Sequence, residues 1–216
     1  MQEVKNLIFD FDGTLADTSK LIVATMQRSV EQYGLPYRNE EQIRATIGVR
    51  LEEIPSILWP HFMNLGKPFA TVYRRNFEYL KNEIPVTLFP NVKETLADLK
   101  KEGLNMAIAT SRSKKSVVEL TVQFGIKEYF DCMVGGNEVA EGKPNPESIF
   151  RILKDENWNV DETMMVGDMT VDILMGKNAG VLTCGVSYGN GKRLELEDTG
   201  ANYVVASFPE IKDVLK

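Results

Sequence analysis

Apolar residues follow two different rhythms along this chain. Between about residues 19 and 85 they recur at helical spacing, and no run there suits a strand. Ile22, Met26, Val30 and Tyr33 mark a first helix, with Asp17 or Thr18 as N-cap and Gly34 and Pro36 closing it. Ile43 and Ile47 suggest a short second helix ended by Gly48. Leu51, Ile54 and Leu58 suggest a third, which Pro55 is expected to disturb. Phe69, Val72, Tyr73, Phe77 and Leu80 draw a fourth, whose aromatic stripe reads as the core of this helical unit. Outside that stretch, short apolar runs alternate with helical patterns. Residues 7–9, 105–109, 132–134, 164–166, 181–186 and 203–205 read as strands. Helices are expected through Val92, Leu96 and Leu99, through Val117, Leu120 and Phe124, and over 171–179. Two more are expected over 146–157, capped by Asn145 with Pro146 first, and over 208–215. The alternation predicts an α/β fold with a doubly wound parallel sheet. The organisation expected is a core of residues 1–17 and 86–216 with a helical insert, residues 18–85, joined through linkers near residues 17–19 and 85–90.

Composition narrows the function. The 216 residues are 43% hydrophobic and 26% charged, as in a soluble globular protein. A formal net charge of −6 argues against a nucleic-acid surface, so an anionic substrate needs a local positive site. No apolar stretch approaches a membrane span, and strand residues begin too early for a signal peptide, so no membrane partner and a cytoplasmic location are expected. Cys132 and Cys184 lack a metal or redox spacing and read as reduced, buried thiols. One histidine, His61, leaves no histidine-rich metal site and argues against a Ser-His-Asp triad. A monomer or homodimer is expected.

Chemistry concentrates at residues 7–18, which read LIFDFDGTLADT. The apolar run of Leu7, Ile8 and Phe9 fits a strand buried on both faces. It stops at Asp10 and Asp12, and Gly13 then breaks it. In an extended backbone residues two apart share a side, so both acids would enter one space at the carboxyl end of a strand, where open parallel sheets hold their sites. Paired carboxylates repel, so a cation belongs beside them or one keeps its proton. The alternative is a polar Asx turn. A calcium loop fails, because its glycine would come sixth rather than fourth.

Three later stretches sit at strand ends or helix starts. Thr110, Ser111, Arg112 and Ser113 follow the strand at 105–109, where hydroxyls and backbone N–H groups could hold an anion; the alternative is that Thr110 and Ser111 cap the next helix. Lys143 lies between Gly142 and Pro144, on a segment that suits neither helix nor ladder, which fixes an ammonium at a defined point; otherwise it is a solvated lysine. Asp168 follows a strand and Gly167, and Asp172 lies four residues on along the same helix face. Such hard oxygen ligands suit Mg²⁺; the alternative is that Asp168 is an N-cap.

Taken together and in order, Asp10-x-Asp12-Gly-Thr14, Thr110, Lys143 with its proline, and Gly167-Asp168-x₃-Asp172 resemble the four motifs of the haloacid-dehalogenase-like hydrolase superfamily. The helical insert resembles its small four-helix cap, and residues 185–191 with 200–204 are similar to the phosphoglycolate-phosphatase-like branch. The resemblance implies a Rossmann-like core and a role for each motif residue. Asp10 would be the nucleophile that forms an aspartyl-phosphate, and Asp12 the acid that protonates the leaving oxygen and later activates water. Mg²⁺ would be held by the side chains of Asp10 and Asp168 and the backbone carbonyl of Asp12, with Asp172 orienting a bound water or Lys143. Thr110 and Lys143, with Ser111, would hold the phosphoryl oxygens. Arg50, in the loop Gly48-Val49-Arg50 between two insert helices, resembles the substrate-facing cap position and could grip a substrate carboxylate; otherwise it is a solvated arginine.

Particular positions separate this chain from some branches of the family. A dehalogenase or phosphonoacetaldehyde hydrolase lacks the acid at Asp12, and β-phosphoglucomutase has a histidine where this chain has Ile22. Met169 stands where many relatives have serine. The expected function is a Mg²⁺-dependent phosphatase for a small phosphorylated metabolite, phosphoglycolate-like. The alternatives are a sugar-phosphate mutase, a pyrophosphatase and a non-catalytic phosphate-binding protein.

Overall fold

The computed structural model describes residues 3–62 and 64–215. Its centre is β1 (Asn6–Phe9), every residue of which is buried. Parallel pairing on both sides of β1 and beyond builds a six-stranded sheet in the order β5-β4-β1-β6-β7-β8. The strands are β4 (Asn105–Thr110), β5 (Cys132–Gly135), β6 (Thr163–Gly167), β7 (Leu182–Val186) and β8 (Tyr203–Val205). Side chains alternate across the sheet, so Leu7 and Phe9 enter one core and Ile8 the other. α5 (Val92–Lys101) and α6 (Lys114–Gln123) supply Val92, Leu96, Leu99 and Val117 to the first core. α7 (Glu147–Asp155) and α8 (Thr170–Ala179) supply Ile149, Ile152 and Met175 to the second. The chain runs outward from β1 to β4 and β5, then returns to β6 on the other side. That reversal beside β1 opens a crevice at the carboxyl ends of the strands.

The helical stretch consists of α1 (Ser19–Tyr33), α2 (Glu40–Arg44), α3 (Ile54–Leu58) and α4 (Gly66–Leu80). They close on their own apolar cluster, in which Phe69 packs against Trp59 and Tyr33. Pro55 lies in the first turn of α3, where a missing N–H costs nothing, so it starts the helix instead of disturbing it. The second helix stops before Ile47 and is set by Asn39 and Gln42 in a capping box.

The two expected linkers are paired. β2 (Ala16–Asp17) and β3 (Thr87–Leu88) form a two-stranded antiparallel ladder where the chain leaves the sheet and returns to it. Two residues are too few for a periodicity to show. α9 (Arg193–Asp198) is likewise illegible, since its one buried apolar residue is Leu196 and Leu194 is 72% exposed. The final helix expected over 208–215 is a 3₁₀ segment, Phe208–Asp213. Cys184 is buried, but Cys132 is only half-buried; both are free thiols. Among the described residues no helix is long and apolar enough to cross a membrane.

Candidate active site

Asp10 leaves the sheet directly after β1, and its backbone N–H donates to Val166 O of β6 (2.9 Å). That bond holds the first acid against the strand whose end carries Asp168. Lys143 Nζ donates to Asp10 Oδ1 (2.5 Å) and to Asp172 Oδ1 (2.7 Å), and its side chain is 4% exposed. The lysine sits on a turn, and its peptide bond to Pro144 is cis. The Glu147 carboxylate fixes that turn by accepting from the N–H groups of Ala140 and Glu141. Asp172 Oδ2 accepts from Met169 N (3.0 Å), so Met169 is the N-cap of α8 and Asp168 lies before it. The reading of Asp168 as a simple cap therefore fails.

Asp168 is wrapped by donors. Thr14 Oγ1 donates to its Oδ1 (3.2 Å), and the backbone and side-chain amides of Asn190 both donate to its Oδ2 (2.7 and 3.0 Å). Gly13, at φ +90°, lets the backbone pass beside this carboxylate: a Cβ there would lie 2.1 Å from Asp168 Oδ2. Gly13→Ala is accordingly expected to lower stability by about 1–3 kcal/mol, read as a fall in the denaturant midpoint. An unchanged midpoint would contradict this packing.

The electrostatics follow from burial. Burial raises Asp10 well above the ordinary carboxylate range, against the pull of Lys143. Burial and the charge of Asp172 push Asp168 up to about 7, against the hydrogen bonds from Asn190. Burial works against the charge on Lys143, but Asp10 and Asp172 more than offset it and hold the ammonium above its usual value. Carboxylate oxygens of Asp10, Asp168 and Asp172 lie within 4.8 Å of one another, a buried cluster that could hold a metal ion. Among the described residues Asp10 Oδ2 is a buried oxygen without a hydrogen-bond partner, a gap that a cation would fill. The oxygen-only donor set suits a hard divalent ion.

Asp12 faces the other cation. Arg112 Nε donates to Asp12 Oδ2 (3.1 Å) and Arg112 Nη2 to Asp12 Oδ1, a two-pronged grip on a nearly buried carboxylate. The guanidinium lies 5.1 Å from the ring centre of Phe77 and 5.9 Å from that of Phe11. Burial opposes its charge, and Asp12 more than offsets that penalty. Nothing in the sequence around Arg112 singles it out for this role. The available signal is that Asp10 and Asp12 need more than one cation.

Asp10, Asp12, Thr110, Ser111, Arg112 and Arg50 all line one cavity of about 540 Å³ between the sheet edge and the helical unit. Thr110 is the last residue of β4, and its Oγ1 accepts from Arg112 N (3.1 Å). The cap of α6 is Ser113, not Thr110 or Ser111. Ser111 Oγ donates to Gly48 O of the helical unit (2.6 Å). Arg50, expected to face a substrate carboxylate, donates instead to the carbonyls of Gly136, Val139 and Ala140, each at 2.6 Å. On the opposite side Asn190 Oδ1 accepts from Ser19 Oγ (2.9 Å) and Arg44 Nη1 (3.2 Å). These contacts draw the helical unit down over the acids.

Residues 7–186 match the family model described as haloacid dehalogenase-like hydrolase. The chain belongs to that family. It is 30% identical to a phosphoglycolate phosphatase of Vibrio parahaemolyticus, over 99% of this chain and 97% of that one. It is also 30% identical to the pyrophosphatase PpaX of Halalkalibacterium halodurans, with the same shares covered. A haloacid dehalogenase-like family hydrolase from Streptococcus pneumoniae, 21% identical, superposes with a TM-score of 0.88 over the whole of both chains. This member of the family thus carries its hydrolase fold with a buried acid cluster at the carboxyl edge of the sheet.

Proposed function

We propose that this hydrolase, a phosphatase of its family, is a Mg²⁺-dependent phosphomonoesterase that acts on a small, phosphoglycolate-like ester through an aspartyl-phosphate at Asp10. The observation that carries the reading is the division of labour between two buried acids. Asp10 is held by Lys143 with one oxygen unpartnered, while Asp12 stands on the same cavity held by Arg112. A nucleophile and a separate proton carrier are what phosphate-ester hydrolysis in two steps requires.

In the first step an Asp10 carboxylate oxygen bonds to phosphorus as the bond from phosphorus to the ester oxygen breaks. The Asp12 carboxyl gives its proton to the departing oxygen. In the second step Asp12, now a carboxylate, takes a proton from water as that water attacks phosphorus. The bond from phosphorus to Asp10 breaks and inorganic phosphate leaves. Lys143 and Thr110 neutralise and orient the phosphoryl oxygens, and Ser111, tied to Gly48, helps close the cavity over them. Asp10 and Asp168, with the backbone carbonyl of Asp12, would hold Mg²⁺, which supplies positive charge to the phosphoryl oxygens when bound. Asp172 is engaged by the ammonium of Lys143 and by Met169 N, whereas the donors to Asp168 are all neutral, which supports a positioning role for Asp172. The helical unit acts as a cap whose closure excludes water.

Phosphate release from a panel containing phosphoglycolate, hexose phosphates, p-nitrophenyl phosphate and pyrophosphate tests this. Turnover of the monoesters should vanish on chelation and return with Mg²⁺ better than with Ca²⁺, whose larger and looser shell misplaces the reacting groups. Full activity after exhaustive chelation would contradict the metal reading. Turnover of pyrophosphate alone would move the assignment to the pyrophosphatase.

A further inference from the structure

Among the described residues, four Lys and Arg side chains line the cavity: Arg50, Lys67, Arg74 and Arg112. Three of them are poorly placed to read a substrate at the reacting centre. Arg50 is taken up by three backbone carbonyls. Arg74 pairs with Glu52 on the rim and its side chain is 56% exposed. Lys67 is exposed. Arg112 alone among the four is both nearly buried and in contact with an acid of the site. A guanidinium has five N–H donors in a planar fork. Here Asp12 and Ser116 Oγ (3.0 Å) take three of them.

Distance then connects Arg112 to the substrate. For Asp12 to protonate the leaving oxygen, that oxygen must lie within hydrogen-bond reach, about 2.5–3.0 Å. Arg112 grips the same carboxylate at hydrogen-bond range, with its Nε 3.1 Å from Asp12 Oδ2. The guanidinium therefore lies within about 6 Å of the leaving oxygen, the sum of two such contacts. A carboxylate one carbon beyond the leaving oxygen spans most of that gap. Phe77 and Phe11 flank the guanidinium and limit its movement, so little ordering is left for a ligand to impose.

We propose that Arg112 is a specificity-determining residue, whose guanidinium binds a carboxylate carried on the leaving group of the substrate. This rests on the phosphomonoesterase reading and names the feature by which that site selects among small esters. It moves carboxylate recognition from the cap loop at Arg50 to the start of the segment after β4. The same contact would bring the leaving oxygen to Asp12, because one side chain touches both.

The test pairs ligands that differ only in the carboxylate. Calorimetry with Mg²⁺ present should show 3-phosphonopropionate binding about 10- to 100-fold tighter than propylphosphonate, the range of a charge-assisted hydrogen bond. In Arg112→Gln that ratio should fall below about threefold. The kcat/KM for phosphoglycolate should drop about 10- to 100-fold more than that for ethyl phosphate. Equal losses on the two esters with the wild-type binding ratio intact would show that Arg112 only positions Asp12, and would overturn the proposal. Should Arg112→Gln fail to fold, a wild-type binding ratio near one would overturn it just as well, and Arg112→Lys supplies the variant arm. A carboxylate preference in binding without hydrolysis of either ester would support the anion site while rejecting the phosphomonoesterase.

Discussion

Asp10→Asn is expected to lose turnover by at least about 10⁴-fold, the scale of losing an activated nucleophile. An amide fills nearly the same volume but cannot form an acyl phosphate. The same change should leave the metal-free protein no less stable than the wild type, and more stable at neutral pH. Burial, Asp172, Asp168 and Asp12 all disfavour the charge on Asp10, and Lys143 keeps its second partner, Asp172. Loss of activity with a maintained or raised denaturant midpoint separates a catalytic role from a structural one. A variant with near wild-type turnover would remove Asp10 as the nucleophile.

Lys143→Met should have the largest effect on folding. Its side chain is almost fully buried, and it is hydrogen-bonded to two carboxylates at 2.5 and 2.7 Å. Removing one partner of a buried ionic group leaves uncompensated charge and costs about 3–5 kcal/mol. The penalty has a pH signature. Carboxylates left without their cation have folded pKa values above the unfolded ones, so they destabilise the fold at pH above the unfolded value of about 4. Asp10 and Asp168 are already raised with the lysine present. The gap in stability between variant and wild type should therefore be widest near neutral pH and narrow as pH falls toward 4. Adding Asp172→Asn to the variant should recover part of the loss. A gap independent of pH would mean that Lys143 contributes through packing alone.

The parts of the site legible from sequence are those confined to a short stretch. Asp10, Asp12 and Gly13 lie within four residues after an apolar run, so local geometry alone places them at a strand end. The flanking Gly142 and Pro144 mark Lys143 in the same way. The sheet was legible because buried parallel strands are continuous apolar runs separated by amphipathic helices. What stayed hidden depends on distant partners. Arg112 meets Asp12 across 100 positions and Asn190 meets Asp168 across 22, and a single sequence carries no pairing signal for either. Arg50 lies where a substrate-facing residue belongs, but its partners are backbone carbonyls about 90 residues away, which carry no side-chain signature. The β2–β3 ladder and α9 are too short for periodicity to rise above local composition.

The claim that Asp10 carries the phosphoryl group is open to direct chemical capture. The enzyme is quenched in acid during steady turnover, treated with borohydride, which reduces an acyl phosphate to the alcohol, and mapped by mass spectrometry of its peptides. Homoserine is expected at position 10, present only with substrate and Mg²⁺ and absent from Asp10→Asn. Homoserine at another aspartate, or an unmodified Asp10 in enzyme that is turning over, would contradict it.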